Sequence, residues 1–173
     1  MGKTKERRGL IAYCRRAVSY YYWKVIRNSG SPEYIARGAA VGLFVGFFIP
    51  MGFQIAAAIP LAFLFRAAKI PAVVLTFVSN YVTAVVLYPV QCYVGGYLIF
   101  HPLHWSELVE KMKNLLTEQT FDSLTALGTP VVLSFFAGGL LFGLLSVFPG
   151  YWITLRLVLR YRRRRTGKRA EKL

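Results

Sequence analysis

The chain has 173 residues, of which 55% are apolar and 17% charged, yet 22 Lys and Arg against 7 Asp and Glu give a net charge of +15. A water-soluble domain usually has about 45–50% apolar and about 25% charged residues. The apolar content excludes a disordered chain, and two cysteines are too few for a disulfide scaffold. Nucleic acid is not expected as a partner, because the chain is too hydrophobic for a basic nucleic-acid-binding protein.

Positive charge is concentrated at the two ends of the chain. Residues 1–37 carry nine Lys and Arg against two Glu (net +7), and residues 156–173 carry nine against one Glu (net +8). Three stretches between them, 38–65, 70–106 and 123–155, contain no Asp, Glu, Lys or Arg. Because about 20 apolar residues suffice for one helical crossing of a bilayer, the sequence predicts an all-α integral membrane protein.

The first predicted element is a basic amphipathic helix within residues 1–30. Arginine and lysine accompany an apolar repeat of three- and four-residue steps, and residues 20–23 read Tyr-Tyr-Tyr-Trp. Tyrosine and tryptophan prefer the headgroup layer of a bilayer. Two placements are open: the helix lies in the interface of an anionic leaflet, or it packs against another part of the same fold.

A helix broken by proline and glycine is predicted next, over residues 38–65 of a membrane domain spanning 31–158. Its first arm has one glycine every four residues, which puts them on one face that another helix can approach closely. Pro50 and Gly52 then interrupt the helix. The predicted helix-packing glycines of this arm are Gly38, Gly42 and Gly46.

The arms of this element, 38–49 and 53–65, are about 12 residues each and therefore about 18 Å long. A crossing of the hydrocarbon core needs about 30 Å. The lengths favour a re-entrant hairpin, and one long kinked span is the alternative.

Two further spans are predicted at 73–100 and 130–155. Polar residues Thr76, Asn80, Thr83 and Gln91 lie near one face of the first span, and such residues turn inward in a membrane. They serve either a substrate path or hydrogen bonding between helices. A second amphipathic helix is predicted at 106–119, outside the cell, and residues 159–173 form a basic cytoplasmic tail.

Part of the 130–155 span resembles part of the broken helix at 38–65, either through duplication or because glycine-rich membrane helices look alike by chance. Gly139 and Gly143 followed by Pro149 resemble the glycines and proline of 42–50, and the same two glycines are predicted to pack helices. Interrupted helices in two halves of a chain are typical of inverted repeats in transporters. Lys and Arg bias places both termini in the cytoplasm of a multi-pass protein.

The region from Pro32 to Gly96 carries an ordered set of residues: Pro32-x-x-Ile35-Ala36-x-Gly38-x-Ala40-x-Gly42-x-Phe44-x-Gly46, Pro50-x-Gly52-x-Gln54, Arg66, Asn80-x-x-Thr83 and Tyr93-x-x-Gly96. This pattern resembles the DUF2062 family of small bacterial membrane proteins, whose function is unassigned. The resemblance implies the bacterial inner membrane, and similar domains are sometimes joined to glycosyltransferases that handle lipid-linked sugars. The family usually has proline after the asparagine, whereas Tyr81 follows Asn80 here, so the resemblance does not imply a helix break there.

Enzymatic chemistry is not expected, because Asp122 is the one aspartate and no acid lies within the apolar runs. His101 and His104 flank Pro102, which interrupts helix geometry, and no cysteine or paired acid completes a metal site. No metal and no cofactor are therefore predicted.

We expect an anionic amphiphile, such as a phospholipid or polyprenyl phosphate, to be transported or handled. The candidate binding residues flank or follow the predicted helix break: Arg37, Pro50, Gly52, Gln54, Arg66, Lys69, Asn80 and Thr83. The alternative is a scaffold that packs through its glycine faces, in this chain or in a homo-oligomer, and binds anionic headgroups or a cytoplasmic protein with its basic ends. No specific protein partner is predicted.

The predicted topology can be tested by a tag placed after Leu173. Positive charge at both ends favours a cytoplasmic location for both of them, so the tag should resist protease and impermeant reagents in intact cells and become accessible after permeabilisation. A tag that is labelled in intact cells would refute the topology.

Overall fold

A computed structural model describes residue 16, residues 19–100, positions 105 and 108, and residues 128–170, with the backbone alone at 81 and 166–170. The regular structure of these residues is entirely helical, which confirms the predicted all-α class. The helices are α1 (19–26), α2 (Pro32–Phe48), α3 (Gln54–Leu64), α4 (Lys69–Thr76), α5 (Tyr81–Leu98) and α6 (Thr129–Ala170). The amphipathic helix predicted at 106–119 lies outside the described residues, position 108 excepted.

Helix α2 begins and ends where the local sequence dictates. Ser31 caps it by accepting a hydrogen bond from the backbone N–H of Tyr34 at 3.1 Å, and proline occupies its first turn. Pro50 follows the last residues of the helix, and Gly52 has a φ of 101°, a value that glycine adopts without strain. α3 then returns antiparallel to α2, so that Arg37 lies beside Phe65.

The stretch 73–100, which was predicted as one span, contains parts of two helices. α4 ends at Thr76 and α5 begins at Tyr81, with a turn over 77–80. Asn80 makes this break without a following proline. Its Oδ1 accepts from the N–H groups of Val82 and Thr83, and Thr83 Oγ1 accepts from the N–H of Asn80, which forms a capping box.

The glycine face of α2 packs directly on the backbone of α4. A Cβ at Gly38 would collide with the carbonyl oxygen of Ala68, and one at Gly42 with that of Ala72. Gly46 faces Thr76 and Val78 in the same way. Residue numbers rise together along this contact, so α2 and α4 run parallel at a separation that side chains would forbid.

α6 crosses both α2 and α5, and glycines make each crossing close. Gly138 faces the backbone of Gln91 in α5, whereas Gly139 and Gly143 face Phe47 and Phe44 in α2. Along each contact one residue number rises as the other falls, so α6 is antiparallel to α2 and α5. α4 and α5 therefore run in the same direction, one after the other, and opposite to α6.

Pro149 lies inside the continuous helix α6 and does not interrupt it. The resemblance between 139–150 and 42–52 is thus a resemblance of glycine spacing alone. The described chain therefore has no helix interruption at the second position.

Helix α1 packs on the end of the bundle from which α2 starts. Val25 and Ile26 are buried against Ile35, Ala68 and Val158. The ring of Trp23 lies edge-on to Tyr161, with centroids 5.6 Å apart. Of the two predicted placements, contact with the same fold is observed for residues 23–26.

One described helical segment, Thr129–Arg165, is long and apolar enough to cross a bilayer, judged by length and composition, with a mean hydropathy of 2.3 over its most apolar 18 residues. Only 33% of that window is buried in the protein, so most of its apolar surface faces outward. Gln54–Leu64 and Val82–Leu98 are also apolar but shorter.

The close contact of α2 with α4 predicts a large effect of the smallest substitution. Gly42→Ala would place a methyl group against the carbonyl of Ala72, so we expect it to lower the free energy of unfolding by about 1–3 kcal/mol. Thermal unfolding in detergent would measure the change.

Gly150→Ala is the matched control. A Cβ there collides with the terminal Cδ1 of Leu43, which can rotate away, and meets Leu43 Cγ at an ordinary contact distance of 3.5 Å. Alanine also favours a helix over glycine by about 1 kcal/mol. Equal losses of stability in the two variants would contradict the packing described.

Candidate functional site

The carbonyl end of α2 is buried, and side chains from other elements supply its hydrogen-bond donors. Gln54 Nε2, at the start of α3, donates to Ile49 O at 2.9 Å and lies 3.2 Å from Gly46 O. Ser79 Oγ donates to Gly46 O at 2.6 Å and accepts from Gln54 Nε2 at 2.7 Å. A helix end leaves carbonyls without partners inside the helix, so these contacts satisfy groups that would otherwise be costly to bury.

Gln91 joins three helices at one point. Its Nε2 donates to Phe47 O in α2 at 3.0 Å and to Phe135 O in α6 at 2.9 Å, and the side chain is 1% exposed. Nearby, the N–H of Met51 donates to the hydroxyl of Tyr88 at 2.8 Å. The turn between α2 and α3 is therefore tied to α5 and α6 by side chains of α5.

The polar residues predicted for 76–91 do not share one helix face. Thr76 Oγ1 donates to Val73 O of its own helix, and Asn80 and Thr83 form the capping box of α5. Gln91 is the member that bonds between helices. Of the two roles left open by the sequence, the contacts described for these side chains are hydrogen bonds within the fold.

Two of the candidate residues form the turn itself. Pro50 is buried at the tip, and Gly52 is exposed with positive φ. Both have a backbone role here, because proline lacks an N–H and glycine permits the turn.

Three candidate cations lie at the other end of the α2–α3 hairpin, away from the turn. Arg37 Nη1 is 3.5 Å from the carbonyl oxygen of Phe65. Arg66 follows with a φ of 47° and an exposed side chain, and Lys69 Nζ lies 3.6 Å from the centroid of the Phe63 ring. Arg37 is distant along the chain from Arg66 and Lys69, and the return of α3 brings it beside Phe65, the residue before Arg66.

Arg37 also lines a groove of about 610 Å³ between α2, α3 and α6. The other lining residues are apolar or aromatic: Ala40, Val41, Phe44, Leu61, Phe65, Leu144, Val147, Phe148 and Tyr151. This volume is within the range of about 300–1,000 Å³ that small-molecule sites occupy. We call it the Arg37 groove, and its chemistry is one cation beside a long apolar surface.

Sequence reasoning found Arg37 but missed the apolar residues of the groove. A signal was present, because positions 37, 40, 41 and 44 of α2 and 144, 147, 148 and 151 of α6 follow the same spacing of three, four and seven residues. That spacing marks one helix face. It could not reveal that the two faces meet, since the meeting depends on the crossing of α6 over α2.

All five glycines predicted to pack helices make their close contacts within this chain. Metal ligands do not converge anywhere in the described part, where no group of three or more His, Cys, Asp or Glu side chains occurs.

These features define an all-helical protein with one long apolar helix, a helix interrupted by proline and glycine, and a groove that combines a cation with apolar side chains. The chain belongs to the DUF2062 family, described as an uncharacterized protein conserved in bacteria, which matches residues 15–167. This match covers nearly the whole chain and extends well beyond the 32–96 region in which the resemblance is visible. No curated protein and no solved structure matches the chain significantly.

Gln91 provides a test of the capping contacts. Gln91→Met keeps the length of the side chain but removes the donor of the Phe47 carbonyl at the end of α2, whereas the Phe135 carbonyl keeps its partner within α6. Each unsatisfied buried group costs about 1–3 kcal/mol, so we expect a marked fall in the thermal unfolding temperature in detergent.

Tyr93→Phe serves as the control, because it removes an exposed hydrogen bond to Tyr97 on the same helix. It should change stability by less than about 0.5 kcal/mol. If Gln91→Met were as stable as Tyr93→Phe, the carbonyl end of α2 would not need its side-chain donors.

Proposed function

We propose that the chain is a multi-pass protein of the bacterial inner membrane with both termini in the cytoplasm. In this arrangement α6 crosses once, α4 and α5 together form a second crossing, and α2–α3 enters and leaves from the cytoplasmic side as a re-entrant hairpin. The antiparallel course of α5 and α6 and the basic residues at one end of the bundle support the proposal. The α4–α5 pair has 26 helical residues, about 39 Å in length, which suffices for a bilayer core of about 30 Å.

We propose further that the protein binds and handles an anionic amphiphile, such as a phospholipid or polyprenyl phosphate. The Arg37 groove is the observation that carries this function. A guanidinium pairs with phosphate oxygens through two parallel N–H groups, and the apolar walls suit a hydrocarbon chain. Soluble anions would gain nothing from those walls, and neutral lipids would gain nothing from Arg37.

In this proposal each candidate residue has a different part. Arg37 would hold the phosphate, and the hydrocarbon chain of the lipid would lie along Val41, Phe44 and Leu144. Arg66 and Lys69 would raise the concentration of anionic headgroups at this end of the hairpin, because a basic residue near a membrane surface contributes about 1 kcal/mol to anionic lipid binding. Pro50, Gly52, Gln54, Asn80 and Thr83 would act by holding the fold.

A scaffold function remains the second candidate. It draws less support from the glycine faces than the sequence suggested, since these glycines are already in contact within one chain. In a scaffold, the basic ends of the chain would bind the anionic headgroups or the cytoplasmic protein.

Purified protein in vesicles allows both halves of the groove to be tested. Arg37→Ala removes the cation, and Leu144→Trp fills the apolar part. Each should reduce protein-dependent movement of a fluorescent phosphatidylglycerol across the bilayer, and Arg37→Ala should weaken its binding about tenfold, as expected for the loss of a hydrogen bond to a charged group.

Two matched variants control for charge and bulk. Arg163→Ala removes an exposed cation of α6 outside the groove lining, and Leu145→Trp enlarges a leucine that is 62% exposed, next to Leu144 at 58%. Both should retain most of the activity. If Leu144→Trp and Leu145→Trp behave alike, or Arg37→Ala matches the unmodified protein, the proposed function is wrong.

A further inference from the structure

A second groove, of about 450 Å³, lies between α1 and the last turns of α6. Its lining is basic and aromatic: Tyr22, Trp23, Leu157, Arg160, Tyr161, Arg164 and Arg165. No lining residue is shared with the Arg37 groove. We call it the α1–α6 groove.

No acidic residue in the described part of the chain balances the positive charge of the α1–α6 groove. Arg160 and Arg164 are one helical turn apart on α6, and Arg165 follows directly, yet no lining residue is acidic. Glu33 is the one acid among the described residues, and it is not in the lining. Three guanidinium groups around one small space repel one another, so a multivalent anion would bind there favourably.

The walls of the groove are held in place by contacts between α1 and α6. Val25 and Ile26 anchor α1 in a buried cluster with Val158, and Trp23 packs edge-on against Tyr161. The side chain of Arg162 donates to the carbonyl oxygen of Gly30, just after α1. The three arginines therefore line a groove whose walls are held in place. In this they differ from the arginines of a basic tail that only sets the orientation of a protein in the membrane.

We propose that the α1–α6 groove binds the headgroup of an anionic lipid that carries a phosphomonoester or a diphosphate. A phosphomonoester has about 1.5–2 negative charges at neutral pH, whereas a phosphodiester has one. Forked pairing with two or three guanidinium groups therefore favours the monoester. Leu157, Tyr22 and Trp23 suit a lipid as the source, since aromatic residues lie at headgroup level and the apolar part of α6 ends beside them.

This inference stands apart from the function of the Arg37 groove and can fail separately. The test uses the full chain in nonionic detergent with Trp105→Phe and Trp152→Phe, which leaves Trp23 as the single tryptophan of the three. Short-chain phosphatidic acid is titrated against tryptophan fluorescence, with phosphatidylglycerol as the phosphodiester and inorganic pyrophosphate as the soluble anion.

Phosphatidic acid should bind at least about tenfold more tightly than phosphatidylglycerol, as expected when a second guanidinium contact is added. Arg160→Ala with Arg164→Ala should abolish this preference. Arg160→Lys with Arg164→Lys should weaken it in part, because lysine keeps the charge and loses the fork. Arg37→Ala should leave it unchanged, which separates the result from the proposed function.

Arg163→Ala is the matched control, since Arg163 is exposed on α6 and outside the groove lining. An equal loss in Arg163→Ala and Arg164→Ala would show diffuse attraction and overturn the proposal. Equal affinity for the two lipids would also overturn it. If pyrophosphate binds as tightly as phosphatidic acid, the proposal that the ligand is a lipid is wrong, and the groove is assigned to a soluble polyphosphate.

Discussion

The whole arrangement depends on the need to supply hydrogen-bond donors to the buried carbonyl end of α2. This helix ends inside the protein, next to a proline that cannot donate, and in an apolar environment each unpaired carbonyl is costly. Gln54, Ser79 and Gln91 provide the donors, each from a different part of the chain. The turn between α2 and α3 is consequently fixed in position against α5 and α6.

That fixed end, together with the glycine contacts, determines where the Arg37 groove lies. Gly38 and Gly42 bring α4 against one face of α2, and Gly139 and Gly143 bring α6 against another. The remaining face carries Arg37 and Phe44, and it stays open because α3 and α6 bound it without filling it. The cation and the apolar surface are thus placed together by backbone contacts that lie elsewhere on the same helix.

Much of the fold could be predicted from local patterns. Ser31 and Pro32 indicated the start of α2, and Pro50 and Gly52 indicated its end, because capping and turn chemistry act within a few residues. The break at 77–80 could not be predicted in the same way. It depends on Asn80 and Thr83 capping each other, a pattern that also fits the inside of a polar helix face. The groove linings were likewise hidden, since helical spacing marks a face and does not identify what covers it.

By itself the sequence determined the helical class, the uneven distribution of charge, the position of the first helix break and the faces on which glycines lie. These follow from composition and from interactions between near neighbours in the chain. Only the tertiary structure decided that Gln54 and Gln91 satisfy a helix end, that Pro149 leaves α6 continuous, and that Arg37 and Arg164 line separate grooves. The reason is physical: each depends on contacts between distant residues, which form only when the helices cross at particular points.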